Sequence, residues 1–243
     1  MTTSEPRVTQ EQNDDKMVGR LGTASFDISA SARWGEAFMH GDLRFKSLSY
    51  YQQIEDGAIR GDTNEGSVSM QPEAGLIIHN QTQRCTQIIP AGAVRASTKS
   101  DEIFILCASN CMKDELRARF EAECCVEIRS VAAFCSRVRA ELPVGATLIP
   151  RAVTYYSMKE EMGIRWAFPD KITSEKIECY SWQDEYRFAF SVTGALDFGK
   201  TSQQLQIPAP GTTDLPKPLI IPEPREYDMV TRSLRDICRL HIF

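Results

Sequence analysis

The sequence predicts an α+β protein, a single domain built on a mixed or split β-sheet flanked by helices. Apolar runs of strand length alternate with amphipathic stretches in the order strand, helix, strand, helix, strand. A length of 243 residues is ample for one large core. Near the end a Pro-rich segment interrupts this pattern and leads into an apolar stripe at helical spacing.

Residues 1–18 are polar and read as a disordered tail, 19–206 as the α+β domain, and 207–243 as a strap and helix packed on it. The segment with Phe26, Ile28, Trp34, Phe38 and Met39 is too irregular to assign. Leu43–Phe45 reads as a short strand, followed by a helical turn from Ser47 and the turn-rich loop GAIRGDTNEGS. Leu76–His79 and Cys85–Ile89 flank NQTQR as a hairpin. Ile103–Ala108 is continuously apolar, as for a strand buried on both faces. Residues 113–123 form an amphipathic helix with Leu116 and Phe120 inward, and Cys125–Ile128 is strand-like. Ser130 is an N-cap for a helix whose stripe is Val131, Phe134, Cys135 and Val138. Ala152–Tyr156 and Tyr186–Val192 are further strands.

Pro208, Pro210, Pro216, Pro218, Pro222 and Pro224 cannot join a sheet interior, so their segment reads as a surface strap. It leads to the expected closing helix, on which Val230, Leu234, Ile237 and Cys238 share one face.

A net charge of −5 argues against coating nucleic acid by charge alone. Arg117, Arg119, Arg129, Arg137, Arg139 and Arg151 are expected on solvated outer faces of helices, with a local basic groove as the alternative. The polar N-terminus carries neither a secretory nor a transit signal, and no run approaches the ~18 apolar residues of a spanning helix. The expectation is a cytoplasmic protein with no membrane contact, its eight cysteines reduced. Their spacing does not match paired zinc ligands, so no metal is expected. His40, His79 and His241 are the only histidines, and P-loop, G-x-G-x-x-G and G-x-S-x-G motifs are absent.

Two stretches concentrate chemistry. In YYQQIEDGAIRGDTNEG, Tyr50 and Tyr51 offer stacking surfaces and Arg60 a fork for phosphate or carboxylate. Asp62 and Glu65 offer acceptors there, and glycines permit close approach. The plainer alternative is a surface loop knitted by its own ion pairs. In SWQDEYRFAFSV, a period of two puts Glu185, Arg187, Ala189 and Ser191 on one face. Tyr186, Phe188, Phe190 and Val192 take the other, which is core. The Glu185–Arg187 face is expected to meet solvent, or else a cleft in which Glu185 is a rigidly mounted carboxylate.

The string FKSLSYYQQIEDGAIRGDTNEG, with IFILCAS and the W-x-x-E-Y-R of Trp182, Glu185, Tyr186 and Arg187, resembles blocks of bacterial and phage-encoded proteins near the ADP-ribosyltransferase-like toxins. The resemblance spans residues 45 to 187 and implies an ADP-ribosyltransferase-like fold with NAD as substrate. It implies a nucleic-acid acceptor, single-stranded rather than duplex, and an antitoxin or chaperone as possible protein partner. Carried onto this chain, it makes Glu185 and Arg187 catalytic and Tyr50, Tyr51, Arg60, Asp62, Glu65 and Ser109 cofactor-binding. No R-S-E or H-Y-E triplet is legible, so the first catalytic position, near Arg44–Tyr51, stays open. Two other readings stand beside it: a non-catalytic interaction module, and a Mg2+-dependent nuclease using Asp62, Glu65 and Glu185.

Overall fold

The computed structural model describes residues 32–54, 62–161, 163–209 and 222–243. Arg60, residues 1–18, and Pro210, Pro216 and Pro218 lie outside them. The described fold is mixed α+β with several small sheets. Among the described residues, no helix is long and apolar enough to cross a membrane.

The principal sheet has five strands in the order β13 (Glu226–Val230), β1 (Asp42–Ser47), β6 (Phe104–Ser109), β11 (Glu185–Phe190), β8 (Ile149–Ala152). All neighbours in it are antiparallel. A three-stranded sheet runs β12 (Ser202–Gln206), β5 (Ala93–Ser97), β2 (Ser67–Met70). Shorter pairs join β3 (Leu76–Asn80) with β4 (Cys85–Ile89), β7 (Cys124–Ile128) with β14 (Cys238–Ile242), and β9 (Thr154–Tyr156) with β10 (Glu175–Ile177). The last pair is parallel.

The alternation read in residues 185–190 sorts the central sheet into two unlike faces. Tyr186, Phe188 and Phe190 lie opposite Ala108, Leu106 and Phe104, and all six are buried in the main core. Phe134 and Val138 of the helix α4 (Val131–Glu141) close this core, with Ser130 Oγ accepting from Ala133 N at 3.3 Å as the cap. Phe134 meets Phe188 edge to face at 4.9 Å and stacks 5.9 Å from Phe38, which lies on α1 (Ala32–His40). The opposite face carries Ile105, Cys107 and Ser109 across from Ala189, Arg187 and Glu185.

The closing helix is not formed. Residues 226–230 are the edge strand β13, with Tyr227 opposite Phe45 and Met229 opposite Leu43, and residues 238–242 are β14 on β7. Val230, Leu234, Ile237 and Cys238 match a helical stripe, yet Val230 is exposed and Leu234 is fully buried in the turn between the strands. Unpaired edges of β1 and β7 offer hydrogen bonds that a surface helix would leave unmade. The turn needs Gly41, where φ is +103° and a Cβ would stand 2.3 Å from Thr231 O.

Ala152–Tyr156 likewise divides at Val153, one half pairing with β11 and the other with β10. Pro222 and Pro224 lie outside any helix or strand. Pro222 O and Glu223 O accept from Gln53 Nε2 and Ser49 Oγ on the helix α2 (Leu48–Gln53), at 2.6 and 3.1 Å. Four of the six arginines have separate partners among the described residues. Arg137 is buried and paired with Asp236, Arg119 pairs with Glu115, Arg151 with Asp170, and Arg117 stacks on Phe243.

Phe134→Ala should cost about 3–5 kcal/mol of stability, because the side chain sits between two aromatic rings with nothing mobile to fill the void. Urea unfolding checks this, and a cost under about 1 kcal/mol would contradict the packing described.

Candidate functional site

Arg187 enters the second face of the sheet from the middle of β11 and is wholly buried. Its backbone lies opposite Cys107 on one side and Arg151 on the other, so the side chain has one direction to take. All five of its N–H donors are used. Nε meets Glu185 Oε1 at 2.7 Å and Nη2 meets Glu185 Oε2 at 3.3 Å. Glu65 receives the fork, Nη1 to Oε1 at 2.6 Å and Nη2 to Oε2 at 2.9 Å. The last donor of Nη1 goes to Thr173 O at 2.5 Å.

Lys176 of β10 completes a quartet. Its ammonium lies 2.7 Å from Glu185 Oε2 and 3.7 Å from Glu65 Oε2, and donates to Gln183 Oε1 at 2.8 Å. Two carboxylates and two cations make a neutral group with none of its four side chains more than 6% exposed. Burial alone would drive Glu185 towards its neutral form. Arg187, then Lys176, outweigh it and hold the carboxyl well below the usual range. Lys176 is held above its ordinary value for the converse reason, burial being overcome by Glu185 and Glu65. The Cys107 thiol is pushed up by burial and then by the Glu185 charge, which keeps it protonated.

The residues singled out in the sequence fall into three groups. Glu65, Glu185 and Arg187 come together, although the face expected to meet solvent or a cleft is instead sealed by opposite charges. Asp62 shares the 62–66 turn with Glu65, whose N donates to Asp62 O at 2.9 Å. That turn is tied to α2, since Asp62 N donates to Tyr51 O and Gln52 Nε2 to Glu65 O. Tyr50 and Tyr51 stand edge to face at 5.4 Å, with the Lys46 ammonium 4.3 Å from the Tyr50 ring. Ser109 lies opposite Glu185 but is buried, its hydroxyl donating to Gln183 O at 2.8 Å. It anchors the 3-10 helix Glu178–Gln183 that leads into β11.

Trp182 of the W-x-x-E-Y-R block is covered by Phe120 at 5.5 Å and by the Arg119 guanidinium at 4.3 Å. Lys176, Gln183 and Thr173 went unnoticed in the sequence. Lys176 and Thr173 lie in the polar run TSEK between Ile172 and Ile177, which carries no local signal of burial. Tyr155, whose hydroxyl accepts from Glu185 N at 2.9 Å, carries in the sequence only the signal of a strand residue.

Asp62 differs from the quartet. It is 4% exposed, takes a hydrogen bond from Asn64 N at 2.8 Å, and makes no ion pair among the described residues. Burial, then the Glu65 charge, raise its carboxyl to about 6. Among the described residues no three His, Cys, Asp or Glu side chains are grouped to hold a metal, and all eight cysteines are free thiols. No protein-family model matches the chain, and no curated protein or solved structure matches it.

Arg187→Met should cost about 3–5 kcal/mol, because both glutamates then remain buried without their counter-ion. Arg187→Lys should recover only part of that, since an ammonium cannot fill the fork. Equilibrium unfolding of both variants tests the claim, and a neutral Arg187→Met would refute it. Asp62 gives a pH signature of opposite sense to Glu185. Its folded value lies above its unfolded one, so its contribution is present below pH ~4 and lost as pH rises through about 6. Glu65, Lys176, Arg187, Tyr156, Tyr180, Cys179 and Arg95 are the charged and titratable groups around it. Asp62→Asn should therefore gain stability over the unmodified chain across that window, by up to about 3 kcal/mol. Unfolding free energies measured across this range check it, and a pH-independent difference would rule it out.

Proposed function

We propose that the chain is a NAD-dependent ADP-ribosyltransferase-like toxin that modifies RNA or DNA in a toxin–antitoxin or phage-defence setting. The observation that carries this reading is Glu185, a carboxylate fixed at the first residue of an inner strand and kept ionised by Arg187 and Lys176. Breaking the nicotinamide–ribose bond develops positive charge on the ribose. A preorganised anion stabilises that charge more than a mobile one does. Nicotinamide leaves with the bonding electrons, and a nucleophile on the nucleic acid forms the new bond at the same carbon while losing its proton.

Access defines what the site must do. Glu185 Oε2 is held by Lys176 at 2.7 Å, so a ribosyl cation must share that oxygen with the ammonium. Tyr51, linked through its carbonyl to the Asp62 amide, is the nearest of the two tyrosines in sequence to the turn that carries Glu65.

A second reading, a non-catalytic interaction module, is favoured by the saturation of the quartet. Every oxygen of Glu65 and Glu185 already has a cationic partner. In that reading the quartet ties three segments together and function lies on the surface.

Labelled NAD incubated with purified protein and cell lysate separates the two. The transferase reading expects label in RNA or DNA, undiminished by a chelator, and a loss of about 100-fold or more in Glu185→Gln. The variant's unfolding transition must be measured alongside, because Gln at 185 also weakens the quartet. Absence of both transfer and NAD binding would leave the interaction module standing, and chelator-sensitive cleavage of nucleic acid would favour the nuclease.

A further inference from the structure

The hairpin of β3 and β4 is fixed at its base and open along its length. At the base, Gln71 Nε2 donates to Ala91 O at 3.2 Å and Gly92 N to Ile89 O at 3.1 Å. Gly75, at φ +83°, runs so close that a Cβ there would lie 2.9 Å from Ile89 O. Leu76 is buried, and beyond it every residue of both strands is half-buried or exposed. Ile77 and Ile88 lie directly opposite each other and are 52% and 61% exposed. His79 and Thr86 form the next pair on that face, with Nδ1 and Oγ1 3.0 Å apart.

Two features set this arm apart from the other sheet edges. The first is strand number. Two strands alone are marginally stable in water, and independent stability takes three or more with an apolar face. The second is charge. From Leu76 to Ile89 the only formal charge is Arg84, in the turn. Other edges carry residues that keep a strand single, Glu226 and Asp228 on β13, Pro150 and Arg151 on β8. β12 is uncharged too, but it already belongs to a three-stranded sheet. β4 reads CTQII, rich in β-branched residues, and has none of its residues buried, whereas β3 begins at the buried Leu76.

We propose that β4 pairs antiparallel with β4 of a second copy of this chain, across a two-fold axis at Gln87. Gln87 then faces its own copy, Thr86 faces Ile88, and Cys85 faces Ile89, which joins two hairpins into one four-stranded sheet. Ile77 and Ile88 of both copies fall on one face, the two Ile88 side chains diagonal to each other at roughly 7 Å. Together they make the apolar strip that a single hairpin is too narrow to provide. The occupant is a second copy because the edge fits itself. Two chains of net charge −5 repel, and this edge brings no carboxylate into their contact. The axis also sends the two Arg84 side chains to opposite ends of the pairing, about 20 Å apart along the strands. Such a contact is isologous and closes at two copies. It involves neither NAD nor the quartet, so it does not rest on the transferase reading.

Sedimentation equilibrium of the intact chain in reductant, over a wide range of concentrations, is the test, and a monomer–dimer equilibrium is expected. Gln87→Glu and Gln87→Lys each set like charges directly opposite and should weaken the dimer by about threefold or more. An equimolar mixture of the two should recover it, because Glu then faces Lys. Ile88→Thr should weaken the dimer by about tenfold. Because Ile88 is exposed in the single chain, that variant should unfold at the same urea midpoint where both proteins are monomeric. A chain that stays monomeric throughout leaves the arm to a different protein and overturns the proposal. A dimer that Gln87→Glu leaves intact overturns it as well, and loss of that dimer in Gln204→Glu would place the contact on β12 instead. Failure of the mixture to recover, with both variants folded by circular dichroism, rules out the pairing at Gln87.

Discussion

The constraint on which the rest depends is the complete use of the Arg187 guanidinium, five donors directed at Glu65, Glu185 and the Thr173 carbonyl. At a wholly buried guanidinium each unmade bond carries a desolvation cost, and Arg187 leaves none unmade. The requirement therefore reaches far along the chain. It fixes the 62–66 turn through Glu65, the entry to β10 through Thr173 and Lys176, and the start of β11 through Glu185. Residues more than a hundred positions apart are held in register by one side chain.

The same strand explains why the sheet tolerates this. Along β11 every second residue is aromatic and packs into the apolar core, which anchors the backbone irrespective of what the other face carries. With that anchorage, the opposite face can hold an ionic group whose own net contribution to stability is small. A buried ion pair rarely outperforms well-packed apolar residues, whereas a broken one is severely destabilising. The quartet thus defines one arrangement more than it deepens the minimum. Ser109 and Tyr155 extend that definition to the backbone of residues 183–185, through Gln183 O and Glu185 N.

Much of this was legible in the sequence, because period-two alternation in residues 185–190 and the apolar run at 103–108 are local signals. The cap at Ser130 and the hairpin at 76–89 were legible for the same reason. What was not legible depended on partners distant in sequence. Glu185 and Arg187 look like a polar outer face unless Glu65 and Lys176 are known to cover them. The end of the chain shows the converse. Val230, Leu234, Ile237 and Cys238 carry a helical spacing, while Tyr227 and Met229 alternate with Glu226 and Asp228 in strand fashion. Two edge strands elsewhere in the chain decided between these patterns, and no window of local sequence contains them. Arg95 and Tyr156 gave no signal at all, since an arginine in AVRAS reads as an exposed strand residue.

The 62–66 turn therefore separates two kinds of polar burial. On one side Glu65 enters a group in which charge, donors and acceptors all balance within the chain. On the other, Asp62 is buried with one side-chain hydrogen bond and no ion pair among the described residues. The first condition is what a fold requires of buried charge, and it needs nothing from outside. The second leaves a carboxyl raised to about 6 by burial and then by the Glu65 charge. Folded chains often keep such raised carboxyls where something other than folding uses them. Glu65 and Asp62 sit three residues apart on one pinned turn, so the protonation state of Asp62 bears directly on the charge that Glu65 meets.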